Sequence, residues 1–308
     1  MIFTTFLQLT KCRKLDTLIY MNCNICPRKC NINRNVGIGF CNASNNLKIA
    51  KYMPHFWEEP IISGTHGSGA IFFSHCNLKC VYCQNAQISH HGEGEYFSVK
   101  QFIDIVKHLE SLGVHNINLV TPTHYTEQII EAFNTYKPNI PIVWNSNGYE
   151  SVETIKRIKD IVDIYLVDMK YMDNDLSLTL SKANDYPQVC QQAILQMRKN
   201  QPIDIVENGI MKKGVIVRHL VLPNEIQNSF DVLDWIHSNM GSQIYISLMG
   251  QYTPYHLAKN MPKYNRPLKP IEYKRVVNHL NNLGFKNGFV QELSSASEMF
   301  IPDFNTQK

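Results

Sequence analysis

The 308-residue chain has no apolar run long enough to cross a bilayer, so a membrane protein is not expected. Charge is scarce as well. Charged residues make up 18% of the chain, below the usual quarter or so, which argues against long solvated tails. The formal net charge is +4 with no dense Lys/Arg tract, so nucleic acid is not an expected partner. A dinucleotide loop is also missing. Gly64-Thr65-His66-Gly67-Ser68-Gly69 is glycine-rich, but it precedes an apolar strand pattern, whereas that fingerprint must follow a strand and open a helix. The stretch Phe3–Leu9 has no basic residue before it and Lys11, Arg13 and Lys14 after it, the wrong order for a secretory signal. Residues 1–20, ahead of Met21, are expected to be a dispensable extension or a start-site artefact.

What the chain does have is cysteine. Nine are present, and all but Cys12 and Cys190 fall in two tight groups. Clustering at metal spacing points to metal sites in a reducing compartment, the cytoplasm, and away from a disulfide framework. Cys12 and Cys190 read as ordinary thiols.

The second group organises the rest. Cys76, Cys80 and Cys83 follow the apolar run Ala70-Ile71-Phe72-Phe73, a short buried strand. Three thiolates therefore leave one strand end in one loop. A structural metal site usually has four protein ligands, and a missing one leaves a position open for chemistry. The plainer alternative is a zinc loop completed by His75 or His90. In the first group, Cys23, Cys26, Cys30 and Cys41 can close a four-thiolate site, zinc or iron–sulfur. That site would serve either as an electron relay or as a structural knot holding a small module. Glu58 and Glu59 read as exposed loop carboxylates.

Beyond residue 95 strand and helix patterns alternate. Helices are expected over 97–112 (Ser98 as N-cap), 126–136, 152–159, 176–197 with a break near Pro187, 229–238 and 271–283. Strands are expected over 116–120, 142–144, 161–167, 214–222, 244–249 and 288–290. This is an α/β pattern with a parallel sheet. In such barrels chemistry gathers at the C-terminal strand ends. Those ends carry Thr121 and Thr123, then Asn145 and Ser146, Asp168 and Lys170, Arg218, and His256.

The C-x3-C-x2-C spacing with Tyr82 before the last Cys resembles the signature of the radical S-adenosylmethionine (SAM) enzymes. Cys-x-x-Cys-Pro-Arg, His-Phe-Trp-Glu-Glu-Pro and Asn-Leu-Val-Thr-Pro-Thr-His further resemble a pyruvate formate-lyase activating enzyme-like subfamily with an N-terminal cysteine module. The resemblance implies a partial (β/α)6 TIM-type barrel over 61–308, preceded by the extension and cysteine-rich module over 1–60. It implies a [4Fe–4S] cluster on Cys76, Cys80 and Cys83, and SAM on the free iron. Cleaved SAM would yield a 5′-deoxyadenosyl radical that abstracts hydrogen. Carried over by position, Thr121 and Thr123 lie near the SAM amino group, where the family's Gly-Gly-Glu is absent. Asn145 and Ser146 fall on a cation motif whose first acid is here an amide. Asp168 and Lys170 face the cation and the SAM carboxylate, Arg218 is the basic residue of the fifth strand, and His256 lies near adenosine. Tyr82 either packs on adenine or simply packs the loop. A reduced flavodoxin or ferredoxin is the expected electron donor, and a glycyl-radical-type protein the expected substrate. Alternatives are a small molecule, another peptide, or a non-catalytic iron–sulfur or zinc binding protein.

Overall fold

The structure is a computed structural model that describes residues 22–293 and Phe304. The expectations for residues 1–20 and Cys12 lie outside the described residues.

In chain order the elements are β1 (Leu47–His55), α1 (Pro60–Ser63), β2 (Ser68–Phe73), α2 (Ala86–Ser89), β3 (Glu95–Phe97) and α3 (Val99–Ser111). Then come β4 (Ile117–Val120), α4 (Thr126–Thr135), β5 (Ile142–Ser146), α5 (Val152–Arg157) and β6 (Ile164–Asp168). α6 (Asn174–Ser181), α7 (Tyr186–Asn200), β7 (Ile205–Glu207), β8 (Ile210–Leu220) and α8 (Ile226–Met240) follow, and β9 (Tyr245–Met249), α9 (Pro270–Leu283) and β10 (Asn287–Val290) end the series. The sheet order is β10-β9-β8-β6-β5-β4-β2-β1-β3, with β7 paired to β8. All neighbours from β2 to β10 along this path run parallel. This is the parallel sheet the strand–helix alternation predicts, and its open path is the partial barrel the resemblance implies.

Local chemistry sets the boundaries. Ser98 accepts from the Gln101 N–H while the Gln101 side chain accepts from the Ser98 N–H, a capping box that starts α3 where the sequence suggests. The long helical pattern over 176–197 breaks ahead of Pro187, at left-handed Lys182, giving α6 and α7. β1 and β3 were not expected. β1 runs antiparallel to β2, and β3 antiparallel to β1, so the sheet begins before residue 60.

Strand side chains alternate between two faces. Ile71, Phe73, Leu119, Trp144, Tyr165, Val167 and Val217 pack under the helices in the main core. The concave face holds Val143, Ile164, Leu166 and Ile216, and Ile62 of α1 packs against them there. α1 thus plugs the inside of the barrel. Among the described residues no helix is long and apolar enough to cross a membrane.

Candidate active site

β2 ends at Phe73, and the chain turns at His75 with φ +76° before the three cysteines. The loop is pinned at several points. Lys79 and Val81 donate N–H groups to the Ser181 and Leu180 carbonyls at the end of α6. The buried Asn77 amide donates to the Tyr149 carbonyl at 2.7 Å and accepts from Asn147 at 2.8 Å. Each sulfur has a polar neighbour: Leu78 N–H and Asn147 Nδ2 reach Cys76, Ser181 Oγ lies 3.0 Å from Cys80, and Ser89 Oγ 3.2 Å from Cys83. Ser181 and Ser89 carry no sequence motif, and Asn77 and Asn147 lie within motif stretches whose spacing alone did not assign them a role.

Burial pushes the Cys76 thiol up to about 12 and Cys83 to about 11, with Cys80 adding to both, and Cys80 is raised by burial too. Without a cation these thiols stay protonated at neutral pH; a bound metal centre reverses that. Tyr82 is buried, its hydroxyl 2.6 Å from Tyr171, whose own hydroxyl is 2.7 Å from Ser181. A hydroxyl chain thus runs from Tyr82 to the neighbour of Cys80.

A cavity of about 220 Å³ opens beside the loop, lined by Cys80, Tyr82, Cys83, Asp168, Lys170 and Arg218 among others. Asp168 accepts from Lys170 Nζ at 2.6 Å and from Arg218 Nε at 2.8 Å. Burial would raise the Asp168 pKa, but Arg218 and Lys170 outweigh it and hold the carboxyl below its ordinary value. Arg218 also donates to Asn145 Oδ1 at 2.6 Å and to Glu58 Oε2 at 3.1 Å, and Glu58 Oε1 accepts from Asn118 and Asn145. Glu58 and Glu59 are therefore not exposed loop carboxylates. α1 carries them into the barrel, where burial raises the Glu59 pKa. The sequence signal was present in their place just ahead of the apolar Ile61-Ile62 pair, which must be covered.

Other expected residues sit elsewhere. On β5, Asn145 faces the barrel interior, so Ser146 faces the helices. Its hydroxyl, like that of Thr123, donates to the buried Glu150 carboxylate at 2.7 Å, with Trp144 Nε1 at 3.0 Å. Ser146, expected on the cation motif, and Thr123, expected near the SAM amino group, thus bond to Glu150 and are not among the residues that line the cavity. Thr121 closes β4 in a left-handed turn at φ +58°. His256 lies in a histidine group, its ring 4.5 Å from His90 and 6.1 Å from His91, outside the residues that line the cavity. Gly148 is required where β5 turns past β6, because a Cβ there would come within 2.3 Å of the Asp168 carbonyl oxygen.

The N-terminal thiols are gathered as well. Cys41 and Cys23 sit close enough to Cys26 to add to the burial that pushes it up to about 12, and Cys23 and Cys30 act likewise on Cys41. The Phe40 N–H donates to Cys30 Sγ at 3.3 Å. The module reaches the three-cysteine loop directly. Arg28 Nε donates to the Asn77 carbonyl at 2.9 Å and its guanidinium stacks on Phe40 and Tyr149, while Ser151 donates to the Ile25 carbonyl. Eight described cysteines are free thiols. Among the described residues no three or more His, Cys, Asp or Glu side chains converge closely enough to hold one metal ion. Cluster ligands bind separate irons and need not converge on a point, so the donor sets fit clusters by chemistry and burial.

A family model described as the radical SAM superfamily matches residues 70–234, over half of the chain. The chain belongs to the radical SAM superfamily. Its cofactors are accordingly a [4Fe–4S] cluster and SAM, and it is an enzyme. An uncharacterised protein of Methanocaldococcus jannaschii is 32% identical over 276 residues, 84% of this radical SAM chain and 74% of that protein. A second uncharacterised protein of that organism is 24% identical over 283 residues, 84% and 77% of the two chains. Among solved structures, Streptococcus suis SuiB bound to precursor peptide SuiA is 14% identical with a TM-score of 0.49, matching 72% of this chain and 48% of SuiB. This chain thus spans about half the length of SuiB. A domain of a Bacteroides vulgatus pyruvate-formate lyase-activating enzyme is 14% identical with a TM-score of 0.37, over 63% of this chain and 91% of that one.

Proposed function

We propose that Cys76, Cys80 and Cys83 hold the cluster and that the enzyme abstracts hydrogen from a backbone glycine of a partner protein. One observation carries the site assignment: two of these thiols share a cavity with Asp168, Lys170 and Arg218. When bound, the cluster and SAM supply a 5′-deoxyadenosyl radical. The chain's residues bind and orient. Lys170, its charge held by Asp168 and Cys80 against burial, neutralises a carboxylate such as that of SAM. Tyr82 and Tyr252, with rings 5.9 Å apart, wall the cavity and keep water from the reacting centre. Ser181, Ser89 and Asn147 hydrogen-bond the sulfurs and so tune the reduction potential. The glycine substrate rests on the activase-like motifs, as do a reduced flavodoxin or ferredoxin donor and a cytoplasmic setting. Reduced, reconstituted protein should release methionine and 5′-deoxyadenosine from SAM; a fully loaded protein that releases neither would be a binding module.

The N-terminal thiols hold a second metal centre, an iron–sulfur cluster as they stand or a zinc ion if the four draw together onto one point. Iron, sulfide and zinc counts should be compared with those of a chain lacking Cys23, Cys26, Cys30 and Cys41. A structural zinc gives about four irons in both and zinc only in the wild type; a second cluster gives about eight irons falling to four. Either metal would be lost with the four cysteines, and a wild type with neither extra iron nor zinc would remove the second centre.

The cation motif has a different reading in this chain. The Arg218 guanidinium already bridges Asn145 Oδ1 and Asp168 Oδ1. An amide also ligates a metal less strongly than a carboxylate. SAM cleavage should therefore change by less than about two-fold when potassium is replaced by tetramethylammonium. A larger loss would mean that an alkali ion competes with Arg218 for these oxygens.

A further inference from the structure

Phe304 is buried to 8% exposure in an apolar cluster separate from the main core. Its ring meets Phe72 edge to face, with centroids 5.6 Å apart. The other walls are Ala50 and Ala70, Val120, Ile88 and the partly buried Met53. Ala70, Phe72 and Val120 alternate with Ile71, Phe73 and Leu119 of the helix-side core, so they line the concave face. A barrel interior is normally filled by its own strand side chains. Here two of the wall positions are alanines, and the space they leave is taken by a side chain from far along the chain.

The seat abuts the cysteine loop. The Ile88 carbonyl accepts from the His75 N–H at 2.7 Å, immediately before Cys76. Ser89, the next residue, lies 3.2 Å from Cys83 Sγ. Phe72 and Val120 stand at or next to the C-terminal ends of their strands, the end from which the loop departs. A group seated there is therefore beside the reacting centre of the proposed function.

We propose that this seat binds an aromatic side chain of a polypeptide substrate, with Phe304 as its intramolecular competitor. This rests on the radical SAM reading of the neighbouring cavity. A concave, apolar site of this kind takes an apolar group. The occupant present is a phenylalanine borne on a peptide backbone, so the seat admits a side chain with chain attached. The substrate must displace Phe304, which keeps the wall dry until then.

The test uses the full reconstituted chain without SAM, and N-acetylphenylalaninamide as probe with N-acetylglycinamide as control. If Phe304 fills the seat more than about nine-tenths of the time, Phe304→Ala should tighten probe binding at least ten-fold. In the otherwise unaltered chain carrying 4-fluorophenylalanine at 304, the fluorine resonance should move toward its solvent-exposed position with the phenylalanine probe and stay put with the glycine probe. Adding Val120→Asp to Phe304→Ala should abolish the gain. Unchanged affinity in Phe304→Ala, or an unmoved resonance at saturating probe, would overturn the proposal. SAM cleavage assayed on the same samples keeps the two readings apart. A chain that cleaves SAM and fails the probe test loses the seat alone; one that passes the probe test without cleavage loses the catalytic reading and keeps the seat.

Discussion

Cys80→Ala should leave the reconstituted protein unable to release 5′-deoxyadenosine above background. Cys80 lines the cavity with Cys83, feels the Lys170 charge and is hydrogen-bonded to Ser181. On the proposed assignment its loss removes a cluster ligand outright. Removing an outer partner such as Ser181 typically costs about 10–100-fold in affinity or activity. The Cys80→Ala loss should therefore exceed about a hundred-fold, while Ser181→Ala stays within that range. The two variants should also differ spectroscopically: Ser181→Ala keeps about four irons and shifts the reduction potential, whereas Cys80→Ala loses iron. Cys26→Ala tests the other group. If the N-terminal centre is structural, part of the cleavage survives. Full activity in Cys80→Ala would remove the cluster assignment.

Much of this site could be read from residue order. Strand–helix alternation is a local signal, and it located the parallel strands and the ends at which Asp168, Lys170 and Arg218 meet. What residue order did not show was facing. Asn145 and Ser146 are adjacent on β5, so they must point to opposite faces. Trp144, a large apolar residue, shares the Ser146 face and belongs under the helices. That parity alone would have separated Asn145, in the Arg218 network, from Ser146, on Glu150. β1 was hidden for a different reason. Leu47–His55 contains two lysines and a proline, the composition of an edge-like strand, and its partner in the sheet lies across α1 rather than beside it in sequence. For Glu58 and Glu59 the adjoining Ile61-Ile62 pair signalled burial, but the pairing that makes it tolerable could not be read locally, since Arg218 lies 160 positions from Glu58.

That dependence makes Arg218→Met the substitution with the largest expected effect on stability. The guanidinium holds Asp168, Asn145 and Glu58 at once, and the side chains of Arg218, Asp168 and Glu58 are 14%, 15% and 11% exposed. Methionine fills similar volume but leaves Glu58 without its cation and Asp168 with Lys170 alone. Breaking a buried pair in this way costs about 3–5 kcal/mol. The pH dependence gives the cause. In the wild type the Asp168 pKa is depressed, so its stabilisation is complete above the unfolded value and is lost as pH falls through the lower folded value. Glu59 works in the opposite sense: its raised pKa means that stability is lost as pH rises above the ordinary carboxyl value. Without Arg218 the burial of both groups is opposed less, and both pKa values rise. Protonation then relieves the variant, so its deficit in urea midpoint against wild type should shrink between pH 7 and pH 5. Arg218→Met with Glu58→Gln should recover part of the deficit at pH 7, because the stranded charge is gone. A deficit that stays constant with pH, and that Glu58→Gln deepens, would mean that Arg218 acts through packing and not through these carboxylates.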